Sequence, residues 1–455
     1  MMPAASSDAK LSALATDLYE YTMAAGYFVR EMRDVQATFE LFFRSLPENR
    51  NFLISCGQAL ALDFIRNWRI TDAELEYLRS LDVLKSVPES FFRYLKRLRF
   101  TGDVWAMPEG TPVFPNEPIL QVTAPIIEAQ LMETALLALI NHSTAIASKA
   151  IRVVLAACGR GVVEFGARRA HGTQAAKLGA RAAYIAGCVG TSNLECGREF
   201  GIPVFGTVAH SWVQAFGDEL AAFRANLDAL PDAGVMLIDT YDTVEGARKA
   251  VLLGEGLKAV RLDSGDLIVL SRKVRRILDR AGLSKTTIFL SGDLDEDRID
   301  EILRKRAPAD AFGVGTRMIV STDAPVVNGV YKLVEVARGG RSSGRIKLSA
   351  GKVLYPGRKQ VLRYVRNGAY SRDVVCGADE RVAGSPKELL KRVLHRGRRV
   401  GREETLSEIR NRVKREVARL PRRLRKLDAV KAHPVKVSRE LERRLQAEAA
   451  TFIDR

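Results

Sequence analysis

Apolar and polar positions along this chain follow more than one pattern. From about residue 160 to 320, short apolar runs ("GVVEFG", "AAYIAGCVG", "GIPVFGT", "GVMLIDT", "KAVRLDS", "TTIFLSG", "DAFGVGT") are bounded by Gly, Ser, Thr or Asp. Most are followed by stretches with apolar residues at helical spacing, of which "DLIVLSRKVRRILDRAG" and "DEDRIDEILRKRAP" are the clearest. Continuous apolar strands alternating with helices predict a parallel sheet covered on both faces, because a strand buried on both sides has no polar face to alternate with. Six or seven such units in succession favour a closed barrel over an open doubly wound sheet. The glycine fingerprint expected after the first strand of the open form is absent.

The pattern changes on either side. Residues 1–130 mix helical pieces with "ATFELFFRS" and "GDVWAMPEGTPVFPNEPILQVTAP", whose Gly and Pro spacing fits antiparallel strands. Residues 328–390 carry "NGVYKLVEVARGGRSSGRIKLS" and "KQVLRYVRNGAYSRDVV", which read as strands and hairpins. The expectation is one discontinuous α+β domain, formed by 1–130 and 328–390, flanking a catalytic α/β barrel at 131–327. From 391 to 455, Leu, Val and Ile recur at helical spacing with Pro421 and Pro434 as breaks, which predicts a basic helical extension.

Charge sharpens that division. The chain of 455 residues carries a formal net charge of +17, and residues 391–455 hold 21 Lys or Arg against 9 Asp or Glu, a net of +12. The remaining +5 is spread over the first 390 residues, which suits small anionic substrates better than a nucleic acid. Amphipathic helices packed on the body are the first expectation for the basic extension, and contact with a nucleic acid or an acidic surface the second. No apolar run is long and uncharged enough for a membrane span, and the N-terminus has no signal-peptide pattern, so a cytoplasmic protein is expected. The five cysteines show no C-x-x-C spacing, and H-E-x-x-H does not occur, which argues against zinc chemistry.

Polar residues gather at the carboxyl ends of the predicted strands, the catalytic face of a barrel. Glu164 and Arg168, Ser192, Thr207 and His210, Asp239 and Asp242, Asp263 and Asp266, Gly292 and Asp293, and Gly315 and Thr316 all fall there. "SGD" at 291–293 and "GVGT" at 313–316 offer bare backbone N–H groups suited to a phosphate. In "RLDSGD", Arg261 can grip a carboxylate or phosphate, and Asp263 and Asp266 could hold magnesium; the alternative is a helix cap by Asp263 or Ser264. The two arginines of "EFGARR" require either an anion or a neighbouring Asp, and Phe165 supplies a flat face. His210 follows a turn and precedes Trp212: it is either a packed core residue or a nucleophile or base, with Asp239 holding one ring nitrogen.

Eight ordered motifs carry a resemblance to a known family: "TDLYEYTMAAGY", "FELFFRSLP", "EFGARRAHG", "GTSNLECGREFGIPVFGTVAHSW", "LIDTYDT", "VRLDSGDL", "LSGDLDE" and "FGVGT". Over roughly residues 10 to 390 the chain resembles the nicotinate phosphoribosyltransferases, of the type II phosphoribosyltransferase fold; the basic stretch after 390 lies outside the resemblance. That likeness implies an incomplete, TIM-like barrel and transfer of phosphoribose from phosphoribosyl pyrophosphate to nicotinate, with coupled ATP hydrolysis, magnesium and a homodimer that shares its active sites. It further implies that His210 is phosphorylated by ATP with Asp239 as its orienting partner. Tyr19, reaching across the dimer, and Phe165 would sandwich the pyridine ring. Arg168, Thr207 and Arg261 would lie near nicotinate and pyrophosphate, Asp263 near ribose or magnesium, and Gly292, Gly315 and Thr316 around the 5-phosphate. Ser192 matches an aspartate of the nicotinamide-using relatives; a neutral side chain there spares a substrate carboxylate from repulsion. His171 is a second candidate for proton chemistry. The competing readings are a nicotinamide- or quinolinate-using enzyme of the same fold, or a non-catalytic descendant that binds nucleotides or nucleic acid.

Overall fold

A computed structural model of the chain describes residues 11–349 and 353–453. The chain divides into two compact units, one spanning Ile146–Pro325 and the other built from the chain before and after it. The long helix Glu133–Ala156 runs through the first boundary.

The inner unit holds a curled parallel sheet of six strands. Their order across the sheet is Gly190–Thr191, Gly161–Glu164, Ala311–Val314, Thr287–Leu290, Ala259–Leu262 and Val235–Leu237. The unit's first strand in sequence, Gly161–Glu164, thus lies beside its last, Ala311–Val314, as in a barrel. Val260, Leu262, Ile288, Leu290, Phe312 and Val314 are fully buried, which accounts for the apolar runs in the sequence. The barrel is incomplete, as the resemblance implied, and opens at one seam. "GIPVFGT" forms no strand and contributes a single bridge, Thr191 to Val204, so the ring opens between that segment and Val235–Leu237. Pro203 has no N–H to donate, and Val204 and Phe205 are 43% and 45% exposed, so the segment pairs with the sheet only at Thr191 and is not buried as a full strand would be. The barrel is incomplete for that reason.

The outer unit is organised by a seven-stranded sheet, antiparallel throughout. Third in its order lies Gln36–Phe43, paired on one side with Gly329–Arg338 and on the other with the central strand Pro118–Pro125. Chain from both ends of the sequence therefore meets within one sheet, and seven of the eight residues of Gln36–Phe43 are buried. Glu40, in its middle, is buried with Lys359 at 2.9 Å. Burial raises the Glu40 carboxyl and lowers the Lys359 ammonium from their ordinary ranges, and each partner pulls the other back.

The basic extension departs from the expectation. It does contain helices, Leu406–Ala418 and Arg439–Ile453. It also supplies strands: Lys391–His395 and Arg398–Arg399 complete the seven-stranded sheet, and Val435–Val437 joins a second sheet of four. Arg363 is fully buried in that second sheet, bonded to Asp373 at 2.7 Å and lying between the rings of Phe114 and Tyr370. His433 stacks on Phe114 at 4.1 Å and brings Nε2 to 3.5 Å from Asp373. Burial disfavours the Asp373 carboxylate, but Arg363 and His433 outweigh it and hold the group well below the usual range. Among the described residues no helix is long and apolar enough to cross a membrane.

Two stability effects follow. Replacing Lys359 by Met leaves Glu40 buried without its cation and should cost about 3–5 kcal/mol in denaturant unfolding, a loss that adding Glu40→Leu largely reverses. Glu128 is raised by burial from 4.5 to about 7, although Thr101 donates to it from both N–H and hydroxyl. A carboxyl raised in the folded state stabilises fully below its unfolded value and loses that contribution as pH climbs through the folded one. Between about pH 4.5 and 7 the native protein should therefore lose up to about 3 kcal/mol relative to Glu128→Gln, read from urea midpoints across that window.

Candidate active site

In the inner unit the ends of the parallel strands surround a pocket of about 270 Å3. Arg261 is its anchor. Alternation along Ala259–Leu262 buries Val260 and Leu262 on one face and turns Arg261 to the other. Its Nε donates to Ser291 Oγ at 2.9 Å, Nη1 to Thr207 Oγ1 at 2.8 Å and Nη2 to Asp263 Oδ1 at 2.6 Å. The guanidinium lies 5.5 Å from the Phe165 ring centre. Phe165, just beyond Gly161–Glu164, packs on Phe289 at 5.7 Å, and glycine at 313 makes room for it: a Cβ there would come within 2.7 Å of the Phe165 ring.

Asp263 is held on one oxygen and open on the other. Oδ1 accepts from Arg261 and, at 2.6 Å, from the Ser291 hydroxyl. Among the described residues Oδ2 has no hydrogen bond; His210 Nε2 stands 3.9 Å from it. Burial opposes ionisation of this carboxyl, but the Ser291 hydroxyl and Arg261 outweigh it and lower its pKa. Asp239 lies below: its Oδ2 accepts the Asp263 N–H at 2.8 Å and the Ser264 hydroxyl at 2.6 Å, while buried Oδ1 has no hydrogen-bond partner among the described residues. This corrects the expected pairing of Asp239 with His210. Asp239 braces the turn that carries Asp263, and the hydroxyl beside His210 Nδ1, at 3.1 Å, is that of Thr240.

His210 opens the helix His210–Phe216, and its side chain is 41% exposed. The packing role belongs to Trp212, which donates to the Ala222 carbonyl at 3.1 Å and lies 4.9 Å from Phe216. The histidine is therefore available to solvent, 3.9 Å from a carboxylate that lines the pocket.

Gly292, Gly315, Thr316, Ser192 and Arg168 also line the pocket. Gly292 has φ +93°, and a Cβ there would fall 1.9 Å from the Asp263 carbonyl, so the residue must be glycine for backbone approach alone. Gly315 precedes the short helix Thr316–Ile319, and Arg169 donates to Thr316 Oγ1 at 3.1 Å. The two arginines of "EFGARR" thus differ: Arg169 is occupied, whereas Arg168 is exposed and has neither ion pair nor hydrogen bond among the described residues.

Several expected site residues serve the scaffold. Asp242 caps Thr243–Ala250 and Asp266 caps Leu267–Arg280, so the cap in "RLDSGD" is Asp266 rather than Asp263 or Ser264. Glu164 is fully buried, bonded to the Thr191 hydroxyl at 2.6 Å and to the Gly166 N–H, with its pKa raised by burial. His171 is exposed and does not line the pocket. Tyr19 belongs to the outer unit, where it is 43% exposed at the start of Leu18–Val29. Its hydroxyl is raised to about 12 by burial and by Glu133, to which it donates. Among the described residues no three His, Cys, Asp or Glu side chains cluster as a metal site. Sequence reading missed Ser291 and Thr240. The register Leu290–Leu262 sets Ser291 beside Asp263, and that pairing has no trace in local sequence.

Comparison with known proteins places the chain in a family. The chain matches the model of the nicotinate phosphoribosyltransferase (NAPRTase) N-terminal domain over residues 14–141, that of the NAPRTase family over 161–341 and that of the nicotinate phosphoribosyltransferase C-terminal domain over 383–445. The last match corrects the expectation that the basic stretch lies outside the family. A nicotinate phosphoribosyltransferase of Mycobacterium tuberculosis is 48% identical, over 94% of this chain and 92% of its own. One from Bacillus subtilis is 40% identical, over 81% and 77%. The crystal structure of human nicotinic acid phosphoribosyltransferase superposes with a TM-score of 0.83 at 27% identity, covering 95% of this chain and 99% of that one. With three domain models matched in order and relatives matched over most of its length, the chain belongs to the nicotinate phosphoribosyltransferase family of NAD biosynthesis.

Proposed function

We propose that this enzyme joins nicotinate to phosphoribosyl pyrophosphate, giving nicotinate mononucleotide and pyrophosphate, and couples that transfer to ATP hydrolysis through phosphorylation of His210. One observation carries the second half of this reading: an exposed imidazole, flanked by Thr240 at Nδ1, turns Nε2 toward the ionised carboxylate of the pocket.

In the transfer step the pyridine nitrogen forms a bond to the ribose C1 as the bond from C1 to pyrophosphate breaks. Positive charge develops on the sugar and negative charge on the departing group. Arg261 is held by three neighbours before substrate arrives, so it meets that negative charge with little reorganisation. Arg168, whose side chain has no partner among the described residues, is the second cation for an anionic group, while Thr207 helps to hold Arg261 from the pocket wall. Phe165 offers one face to the pyridine ring. In a homodimer the partner subunit's Tyr19 covers the other, an offset stack worth ~0.5–1.5 kcal/mol beyond burial. Gly292, Gly315 and Thr316 receive the 5-phosphate, and the neutral Ser192 accommodates the nicotinate carboxylate.

In the coupling step His210 Nε2 attacks the γ-phosphorus of ATP. The N–P bond forms, the P–O bond to ADP breaks, and the phosphohistidine is later hydrolysed to phosphate. The pocket fits magnesium: Asp263 is ionised with Oδ2 open, and this ion is commonly held by one or two carboxylates together with substrate phosphates. Asp263 would hold it, with Asp266 less suited because its Oδ1 caps a helix. When bound, the ion neutralises phosphate charge.

Assays of the purified protein with nicotinate, nicotinamide and quinolinate, each with phosphoribosyl pyrophosphate and with or without ATP, test the reading; nicotinate alone should be turned over efficiently. His210→Ala should abolish ATP hydrolysis and ATP stimulation while slow transfer persists, and full stimulation in that variant would remove the histidine from the mechanism. Ser192→Asp should lower kcat/KM for nicotinate by roughly 10- to 100-fold through repulsion of the carboxylate, with unchanged thermal unfolding.

A further inference from the structure

A second basic cleft lies in the outer unit, in residues that the reaction above does not use. Across three neighbouring strands Gln121, Trp105 and Arg392 are register partners, Trp105 with Gln121 and Arg392 with Trp105, and therefore form one row on one face of the sheet. The backbone of Lys359 lies over that row. Its N–H donates to Gln121 Oε1 at 3.2 Å, and its carbonyl accepts from Gln121 Nε2 at 2.7 Å. The adjoining Arg358 places its guanidinium 4.9 Å from the Trp105 ring centre. Together with Lys391 and Glu388 these groups line a cleft of about 270 Å3.

Its cations are only partly compensated, because the carboxylates nearby hold closer partners. Asp103 accepts from His395 at 3.0 Å and from the Arg396 N–H at 2.7 Å, leaving Arg392 at 3.9 Å. Asp379 is engaged by Arg444 at 3.0 Å and feels Arg358 only at longer range, and the Arg358 guanidinium makes no hydrogen bond or ion pair among the described residues. Glu388 serves Lys391 at 3.2 Å. Two guanidinium groups thus line a half-enclosed polar wall, Arg358 with no ion pair among the described residues and Arg392 with a carboxylate only at 3.9 Å, and such forks match phosphate oxygens in geometry and charge. The volume exceeds that of a bare phosphate and approaches the lower end of small-ligand pockets, roughly 300 Å3.

We propose that this cleft, formed by Trp105, Arg358 and Arg392, binds a small phosphorylated metabolite at a site distinct from the strand-tip pocket. The test is intrinsic fluorescence of the intact protein, titrated with inorganic pyrophosphate and with adenosine 5′-monophosphate, taking Trp105→Phe as the reference that removes signals from Trp68 and Trp212. A saturable, Trp105-dependent change is expected with at least one probe. It should persist in His210→Ala and weaken roughly tenfold or more in Arg358→Gln/Arg392→Gln, whose nicotinate transfer rate stays unchanged. Tighter binding of the nucleotide would identify a base-bearing ligand, and tighter binding of pyrophosphate a phosphate-only one. If the double variant fails to fold, Arg392→Gln alone, at a half-exposed strand position, should show the same direction of loss. No Trp105-dependent change with either probe up to about 10 mM, or undiminished affinity in the folded variants, overturns the proposal.

Discussion

The candidate active site depends on one guanidinium. Arg261 projects from a strand whose alternate residues are sealed in the core, and its three donors reach Ser291, Thr207 and Asp263. Those partners lie in separate stretches of chain, so a single side chain fixes the relative positions of neighbouring strand ends and of the segment leading to His210. Such a group is ordered before any anion arrives. That is what electrostatic stabilisation of a departing pyrophosphate requires, because a floppy cation would spend much of its attraction on becoming ordered.

Carboxylates around that cation divide the remaining tasks by burial. Asp263 stays ionised with an open oxygen because a hydroxyl and a guanidinium favour its charge. Asp239, one layer deeper, carries the turn that presents Asp263. Glu164 is buried further still, where desolvation favours its neutral form, and ties two strand ends together. Asp242 and Asp266 satisfy the first N–H groups of helices. Five acidic residues at equivalent positions in a repeating pattern thus acquire different chemistry from their surroundings alone.

The outer unit solves a separate problem, that of holding chain from both sides of the barrel in one body. A strand near the N-terminus is paired on one flank by residues almost three hundred positions later. Buried ion pairs reinforce such long-range joins: Glu40 with Lys359, and Arg363 with Asp373 and the stacked His433 of the basic extension. Breaking any of these leaves an uncompensated charge in the interior, which penalises partly assembled arrangements more than it stabilises the finished one. The high positive charge of the C-terminal residues had suggested an appendage; its strands in two sheets make it part of the unit's framework.

The sequence by itself determined the inner unit's strand and helix alternation, the gathering of polar residues at strand tips and, through ordered motifs, the family. Periodicity and turn chemistry are local properties, and a strand buried on both faces has to be apolar throughout. Tertiary structure alone decided which tip residues face the pocket and which cap helices. Asp239 and His210, or Ser291 and Asp263, meet or miss through strand register and the geometry of separate turns, which no spacing along the chain records. The open seam of the barrel and the sheet built from distant strands belong to the same class, since hydrogen bonds between remote segments depend on which partner edges remain available once the core has packed.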